Sequence, residues 1–197
     1  MTAALLSALT QLARHIGGDL SWFADRMEGL EISSEARPMP HPVCDTLPAR
    51  CHEISNLTAP ATQALMRAIP HLPWTQSYTE TDGFDAHYLA NYAFVNVVSP
   101  SGLYLSDEMR ISVGFWGEGL IYPDHAHAPE EWYVMLAGSC NLTSDGVGTR
   151  VLRAGEVAHH TPWQRHSARM NPGPLLAAAY WRGDGLMDKS TFYGGAS

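Results

Sequence analysis

The stretch from Gly119 to Gly138, read as G-LIYPD-H-A-H-APE-E-WYVMLA-G, limits what this chain can be more than any other. His125 and His127 are two residues apart, so on an extended strand both side chains leave from the same face. Pro129 and its neighbours predict a turn, and a second apolar strand opens at Glu131. A hairpin of this form brings two imidazoles and a carboxylate to one point. That donor set suits one divalent transition metal ion, whether zinc, iron(II), manganese, cobalt or nickel. A fourth ligand has to come from elsewhere, and His166 is the candidate. The plain alternative is a β-hairpin that happens to carry surface histidines, and it needs several positions to agree by accident.

Composition narrows the class of protein around that site. With 197 residues, 45% of them apolar, the chain has enough for one domain, or a small domain with an appendage, and a sizeable core. A net charge of −8 without any cluster of Lys and Arg argues against nucleic acid as a partner. No apolar run approaches the ~20 residues of a membrane span. The N-terminal MTAALLSALTQLARHIGG lacks a basic leader and is interrupted by Gln11 and Arg14, so it reads as an amphipathic helix and not as a secretion signal. Cys44, Cys51 and Cys140 form no metal-type pair and leave an odd thiol, which fits reduced cysteines in the cytoplasm.

Along the chain, Leu5, Leu9, Leu12 and Ile16 predict a helix over 2–17, and further helices are expected from Leu20 to about Leu30, from Thr58 to Ile69 and from Gly83 to about Tyr92. The proline-rich stretch from Ser33 to Cys51 reads as an ordered loop or arm. The first hundred residues carry no clear strand pattern. From Met109 the pattern changes to short apolar segments separated by Gly, Pro and Asp: RISVGFW, EEWYVMLAG, SCNLTS, TRVLRAG, EVAHHT, RHSARMN and LLAAAYWR. The expected architecture is mainly β with α: a helical region over 1–100 packed on a small antiparallel β-barrel over 101–197.

Strand parity adds a candidate base. If Glu131 faces a metal, Tyr133, Met135 and Ala137 face the same way, and Trp132, Val134 and Leu136 face outward. A phenol beside a divalent cation ionises more readily, which would turn Tyr133 into a usable base; an interior tyrosine with a neutral partner is the plain alternative. Of His159 and His160 only one can point inward, and parity does not say which. His15, His41, His52, His71 and His87 lie outside any ligand spacing.

The spacing G-x5-H-x-H-x3-E-x6-G resembles the first signature motif of the cupin superfamily at every fixed position. A second motif would run from Gly155 through Pro162 to His166, with Asn171 beyond. There Pro162 falls one place late, the usual second glycine is absent and Asn171 lies one place further on. The resemblance implies a cupin-type barrel, a double-stranded β-helix, with the metal on His125, His127, Glu131 and His166. Such barrels often dimerise, so a homodimer is expected to be open to this chain.

At H-x-H-x3-E-x-Y the likeness narrows. His125, His127, Glu131 and Tyr133, with Tyr122, His166 and Trp181, resemble the active-site set of the cupin dimethylsulfoniopropionate lyases. IPHLPWTQSY and AHYLANYAFVNVVSPSG are similar to the segment that precedes their barrel. The resemblance implies β-elimination of that small molecule to dimethyl sulfide and acrylate, with the substrate carboxylate on the metal and Tyr133 as base. Tyr122 and Trp181 would then give the sulfonium aromatic faces. Two other readings share the fold: a cupin iron(II) dioxygenase or other metal-dependent enzyme on a small carboxylate, and a cupin that only binds a metal or small molecule.

Overall fold

Leu5, Leu9 and Leu12 recur at helical spacing, and all three are buried on one side of α1 (Thr2–Ile16) in the computed structural model, which describes residues 1–170 and 173–193. α2 (Leu20–Arg26), α3 (Val43–Arg50), α4 (Ala59–Ala68) and α5 (Ala86–Asn91) follow. α3 departs from the loop expected across the proline-rich stretch. It carries Pro48 in its interior, where the missing N–H weakens a helix. Buried Val43 and Leu47 tie it to the core, so packing and not propensity holds it.

The strands are β1 (Tyr92–Ser99), β2 (Tyr104–Leu105), β3 (Met109–Trp116), β4 (Ile121–Ala126), β5 (Glu130–Ser144), β6 (Gly148–Arg153), β7 (Val157–His160), β8 (His166–Arg169), β9 (Leu175–Arg182) and β10 (Thr191–Phe192). β1 is a second departure, because no strand was expected before residue 100. It pairs antiparallel with β3 and is buried on both faces, so the polar alternation that marks a half-exposed strand is missing from YAFVNVVS.

One sheet runs β2-β1-β3-β9-β5-β7 and the other β10-β4-β8-β5-β6, with β5 common to both. Every pair is antiparallel except β1 with β2. The two sheets curl about one interior, as the expected barrel requires. The changeover falls at Gly138: up to it β5 pairs with β7 and β9, and after it with β6 and β8. Gly138 has φ +77, and a Cβ there would stand 1.9 Å from the carbonyl oxygen of Pro174. Only glycine permits that approach. EEWYVMLAG and SCNLTS, read as two strands, are therefore one strand bent at this residue.

Helices cover the outer face of the first sheet. Trp132, Val134 and Leu136 of β5 join Leu5, Leu9, Phe23 and Leu65 in one core. Phe23 packs edge-on to Trp132 and Tyr180, with ring centroids 5.5 and 5.4 Å away. The Tyr180 hydroxyl donates to the Leu9 carbonyl at 3.1 Å, and Thr62 donates to the Leu136 carbonyl at 3.3 Å. Each buried leucine contributes roughly 1.5–3 kcal/mol, so α1, α2 and α4 stabilise the sheet that carries the site.

A second core fills the space between the sheets, with Tyr133 and Met135 meeting Phe94, Trp116, Tyr122, Ala177, Ala179 and Trp181. Strand parity along β5 thus holds from Glu131 to Met135. A bulge between Met135 and Ala137 in the pairing with β9 then shifts the phase, and Ala137 joins the helix-side core, contrary to the sequence reading.

Candidate metal centre and pocket

Register assembles the centre. His125 on β4 lies opposite His166 on β8. Glu131 on β5 lies between His160 on β7 and Trp181 on β9. The Nδ1 atoms of His125, His127 and His166 stand 2.7, 2.9 and 2.9 Å from the carbonyl oxygens of Pro123, Pro129 and Gln164. A carbonyl only accepts, so each Nδ1 holds the proton and donates, which leaves Nε2 with its lone pair directed inward. The ring nitrogens of the three histidines lie within 4.8 Å of one another, as do the donor atoms of Glu131, His160 and His166.

Glu131 Oε2 stands 3.4 Å from His127 Nε2 and 3.3 Å from His166 Nε2. Both nitrogens are buried and have no hydrogen-bond partner. Lone pairs facing a carboxylate oxygen repel unless positive charge sits between them. A divalent cation meets that need, and these four side chains, nitrogen and carboxylate donors in a closed space, fit one of zinc, iron(II) or manganese type. Burial pulls the His127 imidazole down, but the Glu131 charge outweighs burial and leaves it above its ordinary value. Burial alone would raise the Glu131 carboxyl; the charge of neighbouring His127, with the hydrogen bond from His160, instead holds it well below the usual carboxylate range. His125 is pushed well below its ordinary value by burial and then by His166, which favours the neutral imidazole that a metal ligand requires.

The surrounding side chains fix Glu131 from both edges. Trp181 donates its indole N–H to Oε1 at 2.5 Å, and His160 donates from Nδ1 to Oε2 at 3.0 Å. His160 Nε2 in turn meets the Ser144 hydroxyl at 3.0 Å, and its ring stacks on His166 at 3.8 Å. His160 is therefore the inward member of the pair. His159 lies outside, stacked on Trp132 at 4.7 Å and bonded to Glu130 at 2.8 Å. No spacing rule points to His160, because its role appears only once β7 is laid beside β5.

Next to Glu131 opens a small pocket of about 40 Å³. Tyr78, Tyr92, Trp116, Tyr122 and Tyr133 wall it, Gly114 and Ala179 leave it room, and Arg110 and Trp181 close one side. The Tyr122 ring lies 4.1 Å from the His125 ring, and its hydroxyl shares a hydrogen bond of 2.6 Å with the Tyr78 hydroxyl. Trp181 lies 4.2 Å from the His127 ring, with the Arg110 guanidinium 4.8 Å from its centroid. Burial, then the Glu131 charge, pushes the Tyr133 phenol well above its ordinary value. Sequence reasoning passed over Tyr78, Tyr92, Trp116 and Arg110, which come from elements whose neighbours only the sheet order reveals. His15, His52, His71 and His87 are exposed and His41 half-buried, away from the centre, and Asn171 falls outside the described residues.

The loop before His166 keeps a left-handed turn where the resembled motif has its second glycine. Trp163 takes that position with φ +61 and donates its backbone N–H to the His127 carbonyl at 2.8 Å, coupling the loop to the first pair of histidines. A non-glycine residue there costs about 1–2 kcal/mol. The indole is 57% exposed, so little burial offsets the strain. Trp163→Gly is expected to stabilise the fold by about 0.5–1 kcal/mol after the greater freedom of glycine in the unfolded chain is allowed for. A thermal melt would show a rise of roughly 1–4 °C. A lower melting temperature would mean that the indole supports the loop.

The dimethylsulfoniopropionate (DMSP) lyase family model matches residues 23–177. The curated DMSP lyase DddQ of Ruegeria pomeroyi is 30% identical over 111 residues, 56% of this chain. The match takes in 55% of that relative, so the chain spans about half the length of the curated protein it matches. A crystal structure of the DMSP lyases RdDddP and RnDddQII superposes with a TM-score of 0.86 at 29% identity, covering 98% of this chain and 100% of that one. DddQ from Ruegeria pomeroyi DSS-3 also superposes at 0.86, covering 98% and 96%, and at 23% identity it speaks for the fold alone.

Proposed function

The chain belongs to the dimethylsulfoniopropionate lyase family, and from that premise we propose that it is a metal-dependent carbon–sulfur lyase that splits DMSP by β-elimination into dimethyl sulfide and acrylate. The observation that carries this reading is one shared carboxylate. Glu131 faces the unpartnered Nε2 atoms of His127 and His166 and also lines the pocket in which Tyr133 stands.

His125, His127 and His166 through Nε2, and Glu131 through Oε2, would hold the ion. That ion supplies a Lewis acid for the substrate carboxylate, which makes the proton on the adjacent carbon more acidic. Tyr133, as phenolate, takes that proton. The electron pair left behind forms the carbon–carbon double bond as the carbon–sulfur bond breaks, and sulfur leaves as neutral dimethyl sulfide. The proton on Tyr133 then passes to solvent, and the base is restored.

A sulfonium cannot accept a hydrogen bond, so its place has to be aromatic. Tyr122 offers a ring on the pocket wall, with Tyr78 holding its hydroxyl. Trp181 has its N–H committed to Glu131 and its ring flanked by His127 and Arg110, so we assign it to the carboxylate end of the substrate. Once sulfur is neutral, the cation–π attraction is lost and release is favoured.

The test is headspace dimethyl sulfide from zinc-loaded protein given DMSP without oxygen. We expect release from the loaded protein, a loss of at least about 100-fold after chelation, and recovery when zinc returns. Release that requires oxygen would favour an oxygenase, and no gas from the loaded protein would remove the lyase reading.

A further inference from the structure

Met109, Ile111 and Val113 on β3 face the helices, so Arg110 and Ser112 face the pocket. The Arg110 Nε donates to Asn96 Oδ1 at 2.9 Å, and Nη1 donates to the Leu186 carbonyl at 3.0 Å. The guanidinium lies over Phe94 and Trp181, with Cζ 5.3 and 4.8 Å from the ring centroids. Among the described residues, none accepts a hydrogen bond from Nη2, and no carboxylate comes within ion-pair distance. The carboxylates that line the pocket, Glu131 and Asp188, both lie outside that distance. A guanidinium half withdrawn from water with no carboxylate paired to it is costly to maintain, and its remaining N–H group is an open donor.

The position matters as much as the charge. Arg110 and Trp181 are register partners, and Trp181 is the residue whose indole grips Glu131 and whose ring lies on His127. The cation is thus adjacent to the metal ligands, and it occupies faces of Phe94 and Trp181 that a second cation would otherwise use. An anion entering the pocket meets positive charge from this side; a sulfonium is repelled toward Tyr122 and Tyr78.

We propose that Arg110 is the anion-recognition residue of this pocket, selecting ligands that carry a carboxylate and turning a zwitterion so that its sulfonium points away from β3. The proposal rests on the lyase reading for the identity of the zwitterion, while selection for a carboxylate stands on the pocket itself. Lys189 also lines the pocket, but its ammonium is exposed and pairs with Asp82 at 3.3 Å, so Arg110 is the cation placed to distinguish an anion from its neutral isostere.

The test is calorimetric titration of the protein, zinc-loaded and metal-stripped, with acrylate and with acrylamide, its neutral isostere. In the native protein acrylate should bind more tightly than acrylamide in both states. Arg110→Met should weaken acrylate by at least about tenfold and leave acrylamide within about twofold. Arg110→Lys, which keeps the charge, should recover most of the difference and serves as the second variant if the methionine form does not fold. For DMSP turnover, KM should rise by about tenfold in Arg110→Met with kcat changed much less. Equal weakening of both ligands would reduce Arg110 to a strap that holds the Leu186 segment, and unchanged acrylate binding, or none in the native protein, would overturn the proposal outright. Acrylate selectivity in a protein that releases no dimethyl sulfide would retain Arg110 and sink the lyase reading instead.

Discussion

Glu131→Gln should lower zinc affinity by at least about 100-fold, beyond the 10–100-fold typical for residues that only support a ligand. The substitution keeps the shape of the side chain and an oxygen for the Trp181 N–H, now 2.5 Å from Oε1. What disappears is the one negative charge facing His127, His160 and His166. Native protein with zinc at one hundred times its dissociation constant gains about 2.7 kcal/mol of stability. For a chain of this size that is a rise of roughly 5–10 °C in melting temperature. The variant should show almost none of it at the same zinc concentration, and dimethyl sulfide release should fall with occupancy. A matched control is Glu130→Gln, since Glu130 sits one residue away and pairs with His159 and Arg182 on the outside of the sheet at 2.8 Å in each case. Its zinc shift should equal that of the native protein. Equal shifts in Glu131→Gln and Glu130→Gln would move the ion away from Glu131.

The contrast between those adjacent glutamates shows what could be read from the chain. His125, His127 and Glu131 are local: a two-residue spacing, a proline turn and a strand of period two are enough to aim all three at one point. His166 was reached through a longer motif that the loop only approximates, and the structure meets it with a tryptophan in a left-handed turn. Residues whose roles depend on which strands lie side by side were out of reach. His160 and Arg110 gain their meaning from the β5–β7 and β3–β9 registers, and neither register leaves a periodic trace in sequence. The helical half was legible as amphipathic stripes. β1 was not, since a strand covered by helices on one face and by the pocket on the other shows no alternation. Ala137 was misplaced for a related reason, because a bulge changes parity without changing composition.

Tyr133→Phe should reduce dimethyl sulfide release by about 100-fold or more while zinc binds as it does in the native protein, within about twofold; general-base contributions run from ~10² to ~10⁴. The pairing of those two readouts separates this residue from Glu131, where occupancy and turnover fall together. The phenol has little structural duty to lose. Its ring packs edge-on to Trp116, His160 and His166 at 6.3, 6.1 and 6.4 Å, contacts that phenylalanine keeps. Its register partners are Ala179 and Ala158, which leave space beside it. Burial, then Glu131, holds the phenol well above its ordinary value, which favours the protonated form. A divalent ion on Glu131 and the histidines reverses the sign of the nearest charge and favours phenolate. Turnover of the loaded enzyme should therefore climb with pH as Tyr133 ionises, and the phenylalanine form should lose that climb. Tyr122→Phe provides the comparison: its hydroxyl already shares a hydrogen bond with Tyr78 at 2.6 Å, and burial keeps it well above the usual phenol range. It should cost less than Tyr133→Phe and leave the shape of the pH profile unchanged. If the two variants traded places, with the pH-dependent limb lost in Tyr122→Phe, the base would be Tyr122 and the proton would leave from the opposite wall of the pocket.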